Sequence, residues 1–308
     1  MHGSTYVDLQ NVAAKWGMNF VWLQDGKEVL LSSEWTRLQF ERHQRYCTLN
    51  GHRIYLGNPI VYHKKSLYIS DKDYASALKP ILLPHTFPDP PKLYRIVIDP
   101  GHGGKDPGAE NRSLDVNEKV TVLSVAKKLR AKLEALGYKV ILTRETDKFV
   151  SLSERTRIAN RYKADLFVSL HFNAVDSERV RGVETFVFTL PGQPSSHRSR
   201  LVASDQKVYA GNANNTWSTL AGYYVQASMV KNMAAEDRGV KRARFAVLRD
   251  LKCPGILVEG GFVTHPEEGR LIRTEAYQER MAESILKGIF AYQKTLNRIR
   301  NRDVAQTK

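Results

Sequence analysis

Three residues that can bind metal or transfer protons stand at the ends of short apolar runs. They are His102 after residues 96–98, His171 after residues 165–170, and Glu259 after residues 255–258. Such runs are typical of buried strands, and ligands of open α/β sheets bind in the crevice beyond the carboxyl ends of the strands. We therefore expect the three side chains to share one site, and their types predict a metal-dependent hydrolase.

A fourth candidate, Glu118, lies on a helix predicted over residues 115–136, one turn before Val122 on its apolar stripe. A carboxylate facing the core needs a partner, and a cation would satisfy that need. The alternative is a capping box in which Glu118 reaches back to the amide of Asp115. The histidines also have plainer interpretations: His102 as a turn residue that bonds its neighbours, and His171 as a satisfied core histidine.

Two imidazoles and one carboxylate form a three-ligand zinc set that leaves a fourth position for water. Bound zinc lowers the pKa of that water from about 15.7 to near 7. A further carboxylate must then act as general base and pass the proton to the leaving nitrogen, and Glu259 remains for this role. The set fits amide hydrolysis. The glycine-rich stretch around His102 fits no phosphate or dinucleotide site, because Asp106 stands where those motifs need Ser, Thr or Gly.

Prolines divide the chain into two parts. Four of them fall between Pro84 and Pro91, which predicts a stiff linker over residues 84–92. Residues 1–83 have the short alternating runs of a small α+β domain. Strand and helix patterns alternate over residues 93–296, which predicts a mostly parallel twisted sheet with helices on both faces. We expect residues 297–308 to form a basic tail.

Composition limits the classes of partner. The net charge is +15 among 308 residues, yet no helix-turn-helix, zinc-finger or RNA-recognition motif accompanies it, so nucleic acid is not expected. No run is long and apolar enough to predict a transmembrane segment, and no secretory signal opens the sequence. Cys47 and Cys253 form no CxxC pair, and we expect two buried thiols rather than one disulfide.

Residues 93 to about 293 resemble the zinc-dependent N-acetylmuramoyl-L-alanine amidases of bacterial cell walls. Six blocks carry the resemblance, in family order: residues 98–104 (IDPGHGG), 117–119 (NEK), 169–174 (SLHFNA), 238–241 (RGVK), 247–249 (VLR) and 258–262 (VEGGF). The first 83 residues resemble, more weakly, the small domain at the N-terminus of copper amine oxidases. The approach to Glu118 through residues 110–115 lacks the glycine that the family often has, and His265 replaces a common asparagine.

The resemblance implies that His102, Glu118 and His171 bind one zinc ion (Zn2+) per chain and that Glu259 is the catalytic base. It implies cleavage of the amide between N-acetylmuramic acid and the L-alanine of the stem peptide. Peptidoglycan is then the substrate, in the periplasm or cell wall. We expect the N-terminal domain to dock on the wall, through an envelope protein or a wall polymer.

Two other functions stay open at this point. One is a wall-binding or regulatory protein that keeps the fold without catalysis, and the other is a zinc hydrolase of a different wall amide. The long polar stretch over residues 191–215 has no periodicity, and loops of this length are often functional. We expect it to flank or gate the cleft.

Overall fold

The N-terminal part of the chain is built mainly from short strands. The computed structural model describes residues 5–306, with side chains through residue 302. The elements are β1 (Tyr6–Asp8), α1 (Leu9–Lys15), β2 (Asn19–Gln24), β3 (Glu28–Ser32), β4 (Arg37–Glu41), β5 (Tyr46–Leu49), β6 (His52–Tyr55), β7 (Val61–His63), β8 (Ser66–Ser70), α2 (Asp71–Asp73), a π-helical turn (Tyr74–Leu78) and α3 (Lys79–Leu82).

Strands and helices alternate over the rest of the chain, as predicted. The elements are β9 (Arg95–Pro100), β10 (Glu110–Asn111), β11 (Val116–Asn117), α4 (Glu118–Ala135), β12 (Lys139–Leu142), α5 (Leu152–Arg161), β13 (Leu166–Asn173), β14 (Val183–Phe188), α6 (Asn215–Met233), β15 (Asp237–Ala243), α7 (Ala246–Arg249), β16 (Gly255–Phe262), α8 (Pro266–Ile272) and α9 (Glu275–Gln306).

One large sheet runs through both parts, in the order β12-β9-β13-β16-β14-β15-β6-β5-β4-β3-β2. Its first six strands are parallel except where β14 runs antiparallel to β16. The predicted mostly parallel sheet is therefore confirmed. The continuation of this sheet into the N-terminal strands was not predicted: β6 pairs with β15, with Val240 opposite Ile54. Strands β1, β8 and β7 form a separate three-stranded sheet.

Helices cover both faces of the parallel part because its strands are apolar on both sides. Along β13, Val168 and Leu170 point into the core that α4, α6 and α9 cover, whereas Phe167 points to the opposite side. That second side carries α5 and α7 and a smaller apolar cluster. The larger core also includes α1 and the inner face of β3–β6, so one apolar core joins the two parts of the chain.

Two predicted helix boundaries differ from the structure. Helix α4 begins at Glu118, not at residue 115, because Asp115 has a left-handed φ of 52° and Asn117 is the cap residue. Residues 297–308, expected to be a basic tail, continue helix α9 as far as the description reaches, to Gln306. Ile299 is buried there, and Arg300 donates a hydrogen bond to the Pro91 carbonyl (2.9 Å).

The two thiols are free and buried, as expected. No helix among the described residues is long and apolar enough to cross a membrane.

Candidate metal centre

The loop after β9 presents the first candidate ligand. His102 has a left-handed φ of 58° and is followed by two glycines with positive φ, so the chain turns sharply at the end of the strand. Two buried arginines hold this loop from beneath: Arg155 donates to the His102 carbonyl (2.7 Å) and Arg144 to the Gly101 carbonyl (2.7 Å). The imidazole is thereby placed at the carboxyl end of the sheet.

Three ligand atoms converge at this end of the sheet. His102 Nε2 lies 3.1 Å from His171 Nδ1 and 3.2 Å from Glu118 Oε1, and His171 Nδ1 lies 3.0 Å from the same oxygen. The three atoms form a nearly equilateral triangle. Ligand atoms on a tetrahedral zinc ion, with bonds of about 2.0–2.2 Å, are about 3.3–3.6 Å apart. The donor set fits one such ion, with the three atoms a few tenths of an ångström closer together than in a bound site, and no other cluster of this kind occurs within residues 5–302.

Glu118 is almost fully buried, and its carboxylate is fixed by backbone amides. Phe172 N–H donates to Oε1 (3.0 Å) and Ala109 N–H donates to Oε2 (2.7 Å). Burial alone would raise the pKa of Glu118, but the hydrogen bonds and charges of the two histidines hold that pKa well below its usual range. Glu118 is therefore an anion at the site, and it does not make the capping box.

Glycines keep the space around these ligands open. A Cβ on Gly101 would lie 2.2 Å from His171 Cε1, and a Cβ on Gly108 would lie 2.6 Å from Glu118 Oε2. Gly108 also has a positive φ of 70°. The close approach of the backbone to the imidazole and the carboxylate therefore requires glycine at both positions.

Asp106 is a residue of the site that sequence reasoning missed. Its Oδ1 lies 3.0 Å from His102 Nδ1, the ring nitrogen that faces away from the cluster. Burial acts to lower the pKa of His102, but the carboxylates of Glu118 and Asp106 outweigh it and raise that pKa. A carboxylate behind a metal-binding histidine fixes its tautomer and ring orientation. The only signal in the sequence was the spacing of four residues from His102.

Glu259 lies beside the cluster. It is the register partner of His171 on the neighbouring parallel strand, so both side chains point to the same face of the sheet. Its Oε2 is buried and has no hydrogen-bond partner among residues 5–302. Burial, reinforced by the charges of Glu118 and Glu184, raises the pKa of Glu259 well above its usual value, while Lys241 acts in the opposite direction.

Glu184 is a second residue that sequence reasoning missed. It is the register partner of Glu259 on β14 and is almost fully buried. Asn173 donates to its Oε1 (2.8 Å), while Lys241 (2.5 Å) and Arg238 (3.1 Å) bind its Oε2. Glu184 therefore holds two cations next to Glu259. The strand that carries them, β15, was not predicted.

His265 and residues 191–215, the two remaining features singled out in the sequence, both make contacts away from the three candidate ligands. His265 caps α8 by accepting a hydrogen bond from the Glu268 amide (3.2 Å), so its Nδ1 is used within the helix cap. The stretch over residues 191–215 forms two short 3₁₀ turns and lies against the N-terminal part, where Gln193 donates to Asp73 (2.9 Å). Whether the stretch gates the cleft stays a prediction, which its excision followed by a wall-hydrolysis assay would test.

Comparison with known proteins gives two family matches. Residues 96–291 match the family model described as N-acetylmuramoyl-L-alanine amidase, and residues 1–79 match the one described as copper amine oxidase N-terminal domain. Both resemblances drawn from the sequence are thereby confirmed.

Named relatives agree with the first match. The chain is 34% identical to the N-acetylmuramoyl-L-alanine amidase AmiC of Neisseria meningitidis over 217 residues, which cover 64% of the chain and 52% of the relative. It is 31% identical to AmiA of Escherichia coli over 218 residues, covering 64% of the chain and 75% of the relative. The crystal structure of an N-acetylmuramoyl-L-alanine amidase from Clostridium difficile 630 aligns with a TM-score of 0.54 and 33% identity, covering 66% of the chain and 97% of that protein. The chain thus spans about half of the Neisseria relative.

Proposed function

The chain belongs to the N-acetylmuramoyl-L-alanine amidase family, and from that premise we propose that it hydrolyses peptidoglycan with the help of one zinc ion. The bond cleaved is the amide between N-acetylmuramic acid and the L-alanine of the stem peptide. The reaction takes place outside the cytoplasm, in the periplasm or cell wall, where this substrate is found. The observation that carries the proposal is the triangle of His102 Nε2, His171 Nδ1 and Glu118 Oε1, with sides of 3.0–3.2 Å.

Two nitrogens and one oxygen are the donor types of catalytic zinc sites, which keep one position for water or substrate. When bound, the ion supplies Lewis acidity toward the amide carbonyl and lowers the pKa of water. His102, Glu118 and His171 would hold it. Asp106 accepts the Nδ1 proton of His102 and so keeps Nε2 free to bind, and the backbone amides of Phe172 and Ala109 keep the Glu118 carboxylate in place.

Glu259 serves as the general base. Its buried Oε2 has no competing partner within residues 5–302, so it is available to take the proton of the attacking water. A carboxyl group whose pKa is raised by burial and by neighbouring carboxylates holds that proton long enough to give it to the leaving nitrogen. The positive charge of Lys241 acts against this rise.

Metal content and reaction products test these roles separately. We expect Glu259→Ala to abolish turnover while its zinc content, measured by plasma mass spectrometry, stays close to that of the wild type. His102→Ala and His171→Ala should each lose most of the zinc. His63→Ala, an exposed histidine of the N-terminal part, is the matched control and should keep both properties. Equal zinc loss in all three site variants would reassign Glu259 as a ligand.

Mass spectrometry of digested wall distinguishes the proposed activity from its alternatives. Cleavage at the proposed amide leaves a free lactyl carboxylate on the sugar and a free amino group on L-alanine. A different new terminus would mean that another wall amide is the substrate. Retained zinc with no released peptide would support a binding or regulatory protein.

The division of labour along the chain is also a proposal. We assign catalysis to residues 93–296 and a connecting role to residues 84–92, and we assign residues 1–83 to contacts with an envelope protein or wall polymer. The matched ranges, which end at 79 and resume at 96, support a boundary between them. Pull-down from solubilised envelopes with the full chain, with and without Val21→Asp and Leu23→Asp on the exposed face of β2, would test the contact.

A further inference from the structure

One row of side chains crosses the large sheet from the metal centre to the N-terminal part. His171 is in register with Glu259, and Glu259 with Glu184. Two residues further along β14, Phe186 is in register with Lys241, and the pairing of Val240 with Ile54 places Lys241 beside Tyr55. Register partners point to the same face of a sheet. Tyr55 therefore belongs to the same surface as Glu259, although some 200 residues separate them in sequence.

A cavity of about 380 Å³ opens along this row. Its lining comes from three parts of the chain: the catalytic strands, the N-terminal part and the stretch over residues 191–215. The lining residues that matter here are Asn173, Glu184, Phe186, Lys241, Tyr55 and His197. Since Glu184 is also the register partner of Glu259, the cavity is a side pocket of the proposed active site.

The charge and shape of the pocket suit a carboxylate. Lys241 and Arg238 share the single carboxylate of Glu184, and the next carboxyl group along the row is that of Glu259, the proposed base. The Lys241 ammonium lies 5.4 Å from the centre of the Tyr55 ring and 5.9 Å from that of Phe186. Aromatic walls exclude water from around the ammonium, and ion pairs gain strength where water is excluded. An anionic group on a short apolar stem fits this arrangement.

Distance limits which part of the substrate can enter. Lys241 is on β15, two strand spacings from the strand of Glu259, or about 10 Å. An extended peptide covers about 10 Å in three residues. A peptide whose first amide lies at Glu259 would therefore bring its second or third residue to Lys241.

We propose that this pocket binds a free carboxylate on the second or third residue of the stem peptide, and that Tyr55 of the N-terminal part and His197 of the 191–215 stretch set this specificity. The proposal rests on the proposed amidase function. Lys241 supplies the charge, Tyr55 closes one wall, and His197 lies at the exposed mouth of the pocket. The N-terminal part thus shapes the substrate site itself.

Soluble wall fragments of defined composition test the proposal. Each fragment carries N-acetylmuramic acid on a tripeptide, with the carboxylate at the second or third residue either free or converted to the amide. We expect the wild type to prefer one free-carboxylate fragment over its amidated counterpart. Tyr55→Ala should raise KM for that fragment about five- to tenfold, because loss of the ring lets water reach the Lys241 ammonium and weakens its ion pair, with little change in kcat. Its KM for the amidated fragment should not change.

Control variants separate specificity from folding and from catalysis. Tyr62→Ala alters a tyrosine of the same N-terminal part that does not line the pocket, and it should keep the preference. Tyr55→Phe keeps the aromatic ring and should also keep the preference for the free-carboxylate fragment, while His197→Ala should weaken that preference. A folded Tyr55→Ala variant with undiminished preference would overturn the proposal. Absence of any product with the wild type would instead count against the amidase function.

Discussion

The buried ion pair between Asp99 and Arg155 offers a direct test of how the fold holds the metal-site loop. Asp99 on β9 is fully buried and Arg155 on α5 is 2% exposed, with Nη1 2.7 Å from Oδ1. The same guanidinium donates to the carbonyls of Pro100 (2.8 Å), His102 (2.7 Å) and Val150 (3.1 Å). One side chain therefore neutralises a core carboxylate and fixes the loop that carries His102, the first candidate metal ligand.

Arg155→Met removes this charge and leaves a methionine of comparable length in the core. Asp99 would keep its hydrogen bonds from Thr143 and Ser169 but would lose its counter-charge. Breaking a buried pair by removing one partner costs about 3–5 kcal/mol. With an unfolding entropy of about 2.1 cal/mol/K per residue, a loss of about 1 kcal/mol lowers the melting temperature of a 308-residue chain by about 1.5 °C, so we expect a fall of about 5–8 °C. Zinc affinity should fall too, because the His102 carbonyl loses its donor.

Thermal and urea unfolding followed by circular dichroism measure the first effect, and chelator competition measures the second. Arg157→Met is the matched control on the same helix, since Arg157 is 69% exposed and pairs with Glu154 at the surface. This variant should lose only about 0–1 kcal/mol of unfolding free energy. Combining Arg155→Met with Asp99→Asn should recover part of the stability. A loss of unfolding free energy in Arg155→Met no larger than that in Arg157→Met would show that Arg155 does not hold the loop in this way.

Three further predictions concern the support of the site, the 191–215 stretch and the thiols. Asp106→Ala should weaken zinc binding about 10- to 100-fold in chelator competition, because His102 loses its orienting partner, while metal-free stability stays unchanged. Burial alone would raise the pKa of Asp205, but its arginine partners and a backbone amide lower it from 3.8 to about 2. The stabilisation that ionised Asp205 gives to residues 191–215 is therefore present above about pH 4 and lost as the pH falls toward 2. Amide hydrogen exchange in residues 191–215 should accelerate over that range before exchange in the strands does. Unchanged exchange would contradict this. Burial raises the pKa of both Cys47 and Cys253, the latter to about 12, so a thiol reagent should label neither until denaturant is added.

The sequence was sufficient for the parts of the site that depend on local patterns. Alternation and apolar runs located β9, β13 and β16, and with them His102, His171 and Glu259. The structure refines their positions: β13 continues to Asn173, so His171 lies within the strand rather than after it, and β16 continues to Phe262, so Glu259 lies inside the strand rather than at its end. Pairing continues past the end of the apolar run because neighbouring strands supply the hydrogen bonds.

The features that were missed depend on contacts between distant parts of the chain. Strand β15 reads Asp-Arg-Gly-Val-Lys-Arg-Ala, and its charges obscure the pattern of a strand. Lys241 is nevertheless tolerated inside the sheet because Glu184 pairs with it, and Arg242 because it donates to the Phe188 carbonyl and to Asn215. Neither partner can be identified from the sequence around β15.

The start of α4 could not be predicted correctly from the sequence either, although it depends on neighbouring residues. The pattern of apolar residues extended the helix to residue 115, and a capping box there was a reasonable alternative for Glu118. In the structure Asp115 is left-handed and Val116–Asn117 pair with β10, so the helix cannot begin before Glu118. Glu118 consequently stands at the first position of the helix, where its carboxylate can turn toward the two histidines.

The shared sheet changes what the N-terminal part can contribute to binding. A module on a flexible linker raises only the effective concentration of substrate near the active site. Here β6 pairs with β15, the Arg53 amide donates to Asp237 (2.7 Å), and Lys72 donates to the Pro191 carbonyl (2.5 Å). These contacts hold the N-terminal part in a fixed position relative to the catalytic strands. A contact made at Tyr55 is therefore made at a fixed distance from Glu259. Binding energy from the far end of the stem peptide can then orient the scissile amide, which a tethered module could not do.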